Sequence, residues 1–339
     1  MSYIVGIGEM MLRLSSLSGE RLLQNPLLNA TFGGVEVNVC VSASRFGLKS
    51  RFVTAFPDNA IAKKAEELIL SHRVDTSCIV WEGNRLGVYF LDSGCDCRAS
   101  SIIYDRENSA LSKISYERFD WDNIFKDASI LHVSGVTAGV SENAKDLILY
   151  SVKEAKKRNV KVSCDINYRT KLWKYGKEIH EVMPEIVEYT DILFANEYDM
   201  INILGVHSNL DYKDIVEDND YISLVKDTMR KYNLSTIVST KRKVITSSHN
   251  LFSSKCFVND TLYKSREADI NNIVDRVGTG DAFVAGFLSA LSFFDDYNDI
   301  INFATSSAAI KHTIYGDWNL VSKEEVIGMM NSGFSDVRR

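Results

Sequence analysis

The 339-residue chain has only three prolines, Pro26, Pro57 and Pro184, and no Ser/Gly-rich or low-complexity stretch to mark a linker. A single domain over 1–339 is therefore expected. No apolar run nears the ~20 residues of a membrane span. Met1-Ser2-Tyr3-Ile4-Val5 has no basic region ahead of an apolar one, so no secretory leader is expected either. The six cysteines (Cys40, Cys78, Cys95, Cys97, Cys164 and Cys256) are scattered. Cys95-Asp96-Cys97 has no second pair or His cluster to complete a zinc site, which points to reduced thiols in a cytoplasmic protein. Positive charge is also short. The 39 basic and 45 acidic residues give a formal net charge of −6, which argues against nucleic acid or anionic membrane as a partner. The usual nucleotide motifs are missing. There is no G-x-x-x-x-G-K-[ST], no H-R-D and no D-F-G. Gly6-Ile7-Gly8-Glu9-Met10-Met11 starts like a dinucleotide fingerprint, but it ends on Met and no helix pattern follows.

What is present is an alternation of strand and helix patterns in a chain that is 45% apolar and 25% charged, enough for a sizeable core. Ala128–Ser134 reads as a buried strand. Ser141 reads as the N-cap of a helix running to Lys157, and Val160–Asp165 as the next strand. Helices near Ile179–Glu188 and Ile222–Tyr232 precede the strands Ile192–Phe194 and Thr236–Ser239. A late helix is expected over Ile300–Thr313. This order predicts an α/β fold: a mostly parallel sheet with helices on both faces and ligands beyond the carboxyl ends of its strands. The first hundred residues differ. Leu12-Arg13-Leu14, Gly87–Leu91 and Ser101–Tyr104 alternate apolar with polar residues and predict an antiparallel flap, built from segments near 10–32 and 86–106. A flap over the active end of a sheet is a lid that excludes water.

The most informative segment is Asp275-Arg276-Val277-Gly278-Thr279-Gly280-Asp281-Ala282, followed by an apolar helix. Backbone N–H groups at a helix start form an anion site. Gly278 and Gly280 let backbone approach a ligand, because they carry no Cβ. With Thr279 between them, they make an anion hole beside the Asp281 carboxylate. That pairing suits phosphoryl transfer: the amides hold charge on the moving group and the carboxylate takes the proton of an attacking hydroxyl.

This segment resembles the D-T-x-G-A-G-D signature of the ribokinase-like (PfkB) carbohydrate kinases. Gly33-Gly34-Val35-Glu36-Val37-Asn38 resembles that family's G-G-x-x-x-N sugar-binding segment. Gly87-Val88-Tyr89-Phe90, Tyr104-Asp105-Arg106, Asp165–Arg169 and Gly316–Asn319 are most similar to its 2-keto-3-deoxygluconate kinases. The resemblance implies a three-layer α/β/α fold with a small β-sheet lid. It also implies transfer of phosphate from ATP with Mg2+, and a monovalent cation such as K+ near the Asp317 loop. Gly34, Asn38, Tyr89, Tyr104, Arg106, Arg169 and Asp317 would then contact the sugar. Asn167, Arg169, Thr240, Lys241, Gly278 and Gly280 would contact the nucleotide. Asn196 and Asp199 would organise magnesium through water, with Asp standing where the family has Glu and one methylene shorter. A helix N-cap is the other reading of Asn196, and a solvated charge run the other reading of Arg106.

The resemblance also implies a homo-oligomer joined through the lid, with a small-molecule sugar acid and ATP as partners. Arg106 and Arg169 suit a carboxylate, since guanidinium forks match it bidentately. The expected reaction is therefore phosphorylation of the terminal (6-) hydroxyl of 2-keto-3-deoxygluconate. The alternatives are a fructokinase or other neutral-sugar kinase, and a non-catalytic sugar- or nucleotide-binding regulator on the same fold. The Asp275–Asp281 segment departs from the signature twice: Arg276 replaces Thr and Thr279 replaces Ala. The segment Thr240–Thr246, expected as a nucleotide loop, also lacks the family's glycines.

Overall fold

A computed structural model describes residues 2–17 and 19–332. Its main sheet has nine strands. They run in the spatial order Thr261–Lys264, His249–Val258, Thr236–Thr246, Ile192–Phe194, Lys161–Asp165, Ala128–Ser134, Tyr3–Ile7 and Lys49–Val53, with Ala268–Asn271 also pairing to His249–Val258. From Thr236–Thr246 to Lys49–Val53 the pairings are all parallel, and beyond Thr236–Thr246 they turn antiparallel.

Strand alternation builds two cores, one on each face of the sheet. Val5, Ile7, Leu131, Val133, Leu193 and Ile237 pack against the helices Glu142–Lys157, Ile179–Val187 and Asp218–Tyr232. Their neighbours Ile4, Ile130, Ile192, Phe194 and Val238 pack on the other side, against Val35–Arg45, Thr279–Ala290 and Tyr297–Lys311. Ser141 is the expected N-cap, its hydroxyl accepting the Ala144 N–H at 3.1 Å. Thr279–Ala290 is apolar all round because it is buried all round.

A second sheet, in the order Asn29–Gly33, Met11–Ser15, Gly87–Asp92, Ser101–Asp105, forms the lid. The structure corrects two expectations here and in the main sheet. The lid is mixed rather than antiparallel: its central pair, Met11–Ser15 with Gly87–Asp92, is parallel. Between these strands the chain passes through the main sheet at Lys49–Val53, so it re-enters the lid from the same end. The strand beginning at Thr236 does not stop at Ser239. It continues to Thr246 and pairs antiparallel with His249–Val258. Without glycines, Thr240–Thr246 takes the extended ladder in place of a loop.

Candidate active site

Between the lid and the carboxyl ends of the parallel strands lies a cleft of about 930 Å³. One wall is the start of the helix Thr279–Ala290. Gly278, its N-cap, has φ +80°, the left-handed region that favours glycine. A Cβ there would also overlap the Asp317 carbonyl. A Cβ on Gly280, by contrast, would meet open space. The N–H groups of Gly280 and Asp281 belong to the first turn, which a helix leaves without partners of its own. The strand-to-helix turn therefore presents bare backbone to the cleft, as an anion requires.

Asp281 sits one residue further on, 7% exposed. Asn38, from the glycine-started helix Val35–Arg45, donates its amide to Asp281 Oδ2 at 2.6 Å. Burial pushes the Asp281 carboxyl up to about 6, against the opposing effect of the Asn38 hydrogen bond. It is thus largely ionised at neutral pH and basic enough to take a proton. Gly34 must approach the backbone of Glu9 closely, and its N–H donates to Asn38 Oδ1 at 3.3 Å. The two sugar-segment residues thus orient one another and Asp281.

Several expected residues are present but already engaged. Asp317, 4% exposed, accepts the Tyr89 hydroxyl at 2.7 and 2.8 Å and Arg13 Nη1 at 2.9 Å. Arg13 Nη2 donates to Asp275 Oδ2 at 2.7 Å, and that same oxygen accepts the Gly316 N–H at 3.0 Å. Arg106 is not part of a solvated charge run. It is 7% exposed, and its Nε donates to Glu9 Oε2 at 2.7 Å, with Nη2 on the same oxygen. Arg106 Nη1 and Glu9 Oε1 are buried at the cleft wall with no hydrogen-bond partner among the described residues. Tyr104 lies beneath the guanidinium, 5.7 Å away, and 6.3 Å from Tyr89.

Arg169 is exposed on the cleft rim, two residues after Asn167, whose φ is +41°. Thr240 lines the cleft, but Lys241 does not. In an extended strand, successive side chains point to opposite faces, so Arg242 takes the place that Lys241 was expected to hold. Asn196 and Asp199 bond reciprocally: each backbone N–H donates to the other's side-chain oxygen at 3.0 Å. The pair caps the helical turn that begins at Glu197, and both residues line the cleft. Burial raises Asp199 to about 6, and it raises Asp165 to about 8, where the charges of Asp281 and Asp199 add to the effect.

Four charged residues were not singled out by the sequence pattern: Glu9, Arg13, Glu36 and Lys311; Arg242 lay within the expected nucleotide segment but Lys241 was preferred to it. Glu36, 1% exposed, accepts Ser134 and Thr137 hydroxyls at 2.6 and 2.8 Å, and burial lifts it to about 7. Its signal was available, since it stands inside Gly33–Asn38. Lys311, fully buried, donates to the Ile314 carbonyl at 2.9 Å. No group of three or more His, Cys, Asp or Glu among the described residues could hold a metal ion.

Bare backbone at a helix start, a buried carboxylate basic enough to accept a proton, and a lidded pocket suit a phosphotransferase with a hydroxyl acceptor. A family model described as pfkB family carbohydrate kinase matches residues 1–321, and the chain belongs to that family. A 2-dehydro-3-deoxygalactonokinase of Haloferax volcanii is 27% identical over 340 residues, covering 99% of each chain. The crystal structure of 2-dehydro-3-deoxygluconokinase from Thermotoga maritima is 34% identical, with a TM-score of 0.92 and 98% of each chain covered. A fructokinase from Xylella fastidiosa with bound ATP shares the fold, with 18% identity, a TM-score of 0.78, and 97% of this chain and 98% of that one covered.

Proposed function

We propose that the protein transfers phosphate from ATP to the terminal (6-) hydroxyl of 2-keto-3-deoxygluconate, giving 2-keto-3-deoxy-6-phosphogluconate. The observation that carries the reading is Arg106. It is a buried guanidinium at the sugar end of the cleft with Nη1 left unpartnered, and an unpartnered buried donor is costly unless a ligand satisfies it. The name of the Thermotoga relative supports the same acid, and that of the Haloferax relative its epimer. Asp281 acts as base, and the Gly278–Gly280 backbone holds the transferring phosphoryl group. Arg169, Asn167, Thr240 and Arg242 face the nucleotide, with Asn196 and Asp199 ordering the waters of its magnesium. We assign no potassium site: Asp275 and Asp317 are both held by Arg13, and Lys311 Nζ already donates to the Ile314 carbonyl.

One observation favours the neutral-sugar alternative: Glu9 cancels the charge of Arg106. A coupled ADP-release assay across keto acids of both epimers, fructose and ribose decides between them. The acid reading expects kcat/KM for one keto acid to exceed that for fructose by about 10²-fold, the scale of a well-placed polar contact. Equal turnover of fructose gives the site to a neutral sugar. No turnover of any sugar returns the chain to the non-catalytic regulator, which the buried, raised Asp281 argues against.

Association through the lid is part of the same reading. Leu12, Leu14, Val88 and Phe90 are only partly covered on its outer side, and Ile103 is 55% exposed. A second copy is the proposed occupant. No described helix is long and apolar enough to cross a membrane. The free thiols, with Cys95 and Cys97 exposed, suit the reducing cytoplasm.

A further inference from the structure

Arg276, one of the two residues that depart from the family signature, has no part in the chemistry above. Its Nε donates to the Ser247 carbonyl at 3.0 Å, and its Nη2 donates to the Thr246 carbonyl. Three residues earlier, the Ile273 N–H donates to the Ser248 carbonyl at 3.0 Å. The segment leading into Gly278 thus grips three successive carbonyls of the turn between the strands Thr236–Thr246 and His249–Val258.

The lid grips the same turn from the other side. Ser247 donates its N–H and its hydroxyl to the Asp96 carbonyl, at 2.7 and 2.6 Å. The Asp96 N–H donates to Ser248 Oγ at 3.3 Å. Asp96 is at the tip joining the lid strands Gly87–Asp92 and Ser101–Asp105. That tip is closed on itself by reciprocal backbone bonds between Cys95 and Arg98, at 3.0 and 2.9 Å. Arg98 also donates to Asp92 Oδ1 at 3.0 Å, so the tip moves with its strand.

We propose that Arg276 is a positioning residue that fastens the lid tip to the anion-hole loop through the Thr246–Ser248 turn, so that a nucleotide phosphate on the loop holds the lid down. The planar guanidinium reaches two carbonyls at once, which the Thr of the signature is too short to do. Ordering the loop on a phosphate steadies Arg276, then the turn, then Asp96. Coupling of this kind needs only that each contact restrict the next.

Amide hydrogen exchange on the full chain tests this with a non-hydrolysable ATP analogue and magnesium, and no sugar. It therefore rests on the anion-hole reading and not on the sugar assignment. The expected result is that nucleotide slows exchange at Asp96 and Ser247 by about fivefold or more, the lower end of usual couplings, as well as at Gly280 and Asp281. At saturating nucleotide, Arg276→Thr should keep the protection of Gly280 and Asp281 and lose that of Asp96, with Arg276→Lys intermediate. The double variant Ser247→Ala, Ser248→Ala should give the same split without touching the loop. Protection of the loop but not of Asp96 in the wild type overturns the proposal. So does undiminished Asp96 protection in saturated Arg276→Thr, which would make Arg276 a phosphate ligand only. If nucleotide protects no amide at all, the anion-hole reading falls and the latch falls with it.

Discussion

Replacing Asp281 by Asn removes a base and very little else. The amide is the same size, and its oxygen can still accept the Asn38 N–H that now lies 2.6 Å from Asp281 Oδ2. What is lost is the ability to take a proton from the attacking hydroxyl, a contribution of about 10²–10⁴ in rate. The lower figure corresponds to about 2.7 kcal/mol on the barrier. The raised pKa adds a second signature. With the carboxyl at about 6, ionised and protonated forms stand at about 10:1 at pH 7 and about 1:10 at pH 5, so kcat/KM should fall along an acid limb centred near 6.

Stability has the opposite sign. The folded-state pKa lies above the ordinary value of 3.8, so the stabilising contribution is complete only below that value and is lost as pH rises through about 6. At pH 8 the buried carboxylate costs stability, and Asp281→Asn should melt no lower than the wild type. The assay is steady-state ADP release from pH 5 to 9, with thermal melts at pH 8. A correctly folded Asp281→Asn enzyme within tenfold of wild-type kcat removes Asp281 from the chemistry. A wild-type acid limb near 4, with no break at 6, refutes the effect assigned to burial.

Two further substitutions follow from the same geometry. Gly280→Ala adds a methyl group to open space at a helical position, so the melting temperature should hold or rise while kcat/KM falls by about tenfold or more through the blocked phosphoryl site; normal turnover would show that the loop binds no anion. Glu9→Gln keeps the shape of the Arg106 pair but frees the guanidinium charge, so the kcat/KM ratio of keto acid to fructose should rise by about tenfold, whereas Arg106→Ala should collapse it. An unchanged ratio in both variants takes the pair out of substrate selection.

The alternating architecture and the glycine-bracketed helix start at Gly278–Asp281 were legible in the chain, because both are local. A helix N-terminus needs only its own glycines and the apolar run behind it, and Gly278, Gly280 and Asp281 are adjacent in the chain. Strand and helix periods were likewise readable within windows of ten or so residues. The placement of the charges depends on long-range packing. Arg13 lies between two leucines in a short alternating strand, where a charged residue reads as the solvent side. It points inward because Asp275 and Asp317 meet it there, 262 and 304 residues along the chain. The partner of Arg106 is Glu9, 97 residues away, so a free cation on paper is a neutral pair in the fold. Lys241 and Arg242 were equivalent as letters, and only the ladder with His249–Val258 set which of them faces the cleft. Side-chain burial and charge pairing depend on what the rest of the chain brings into contact, and no local pattern encodes that.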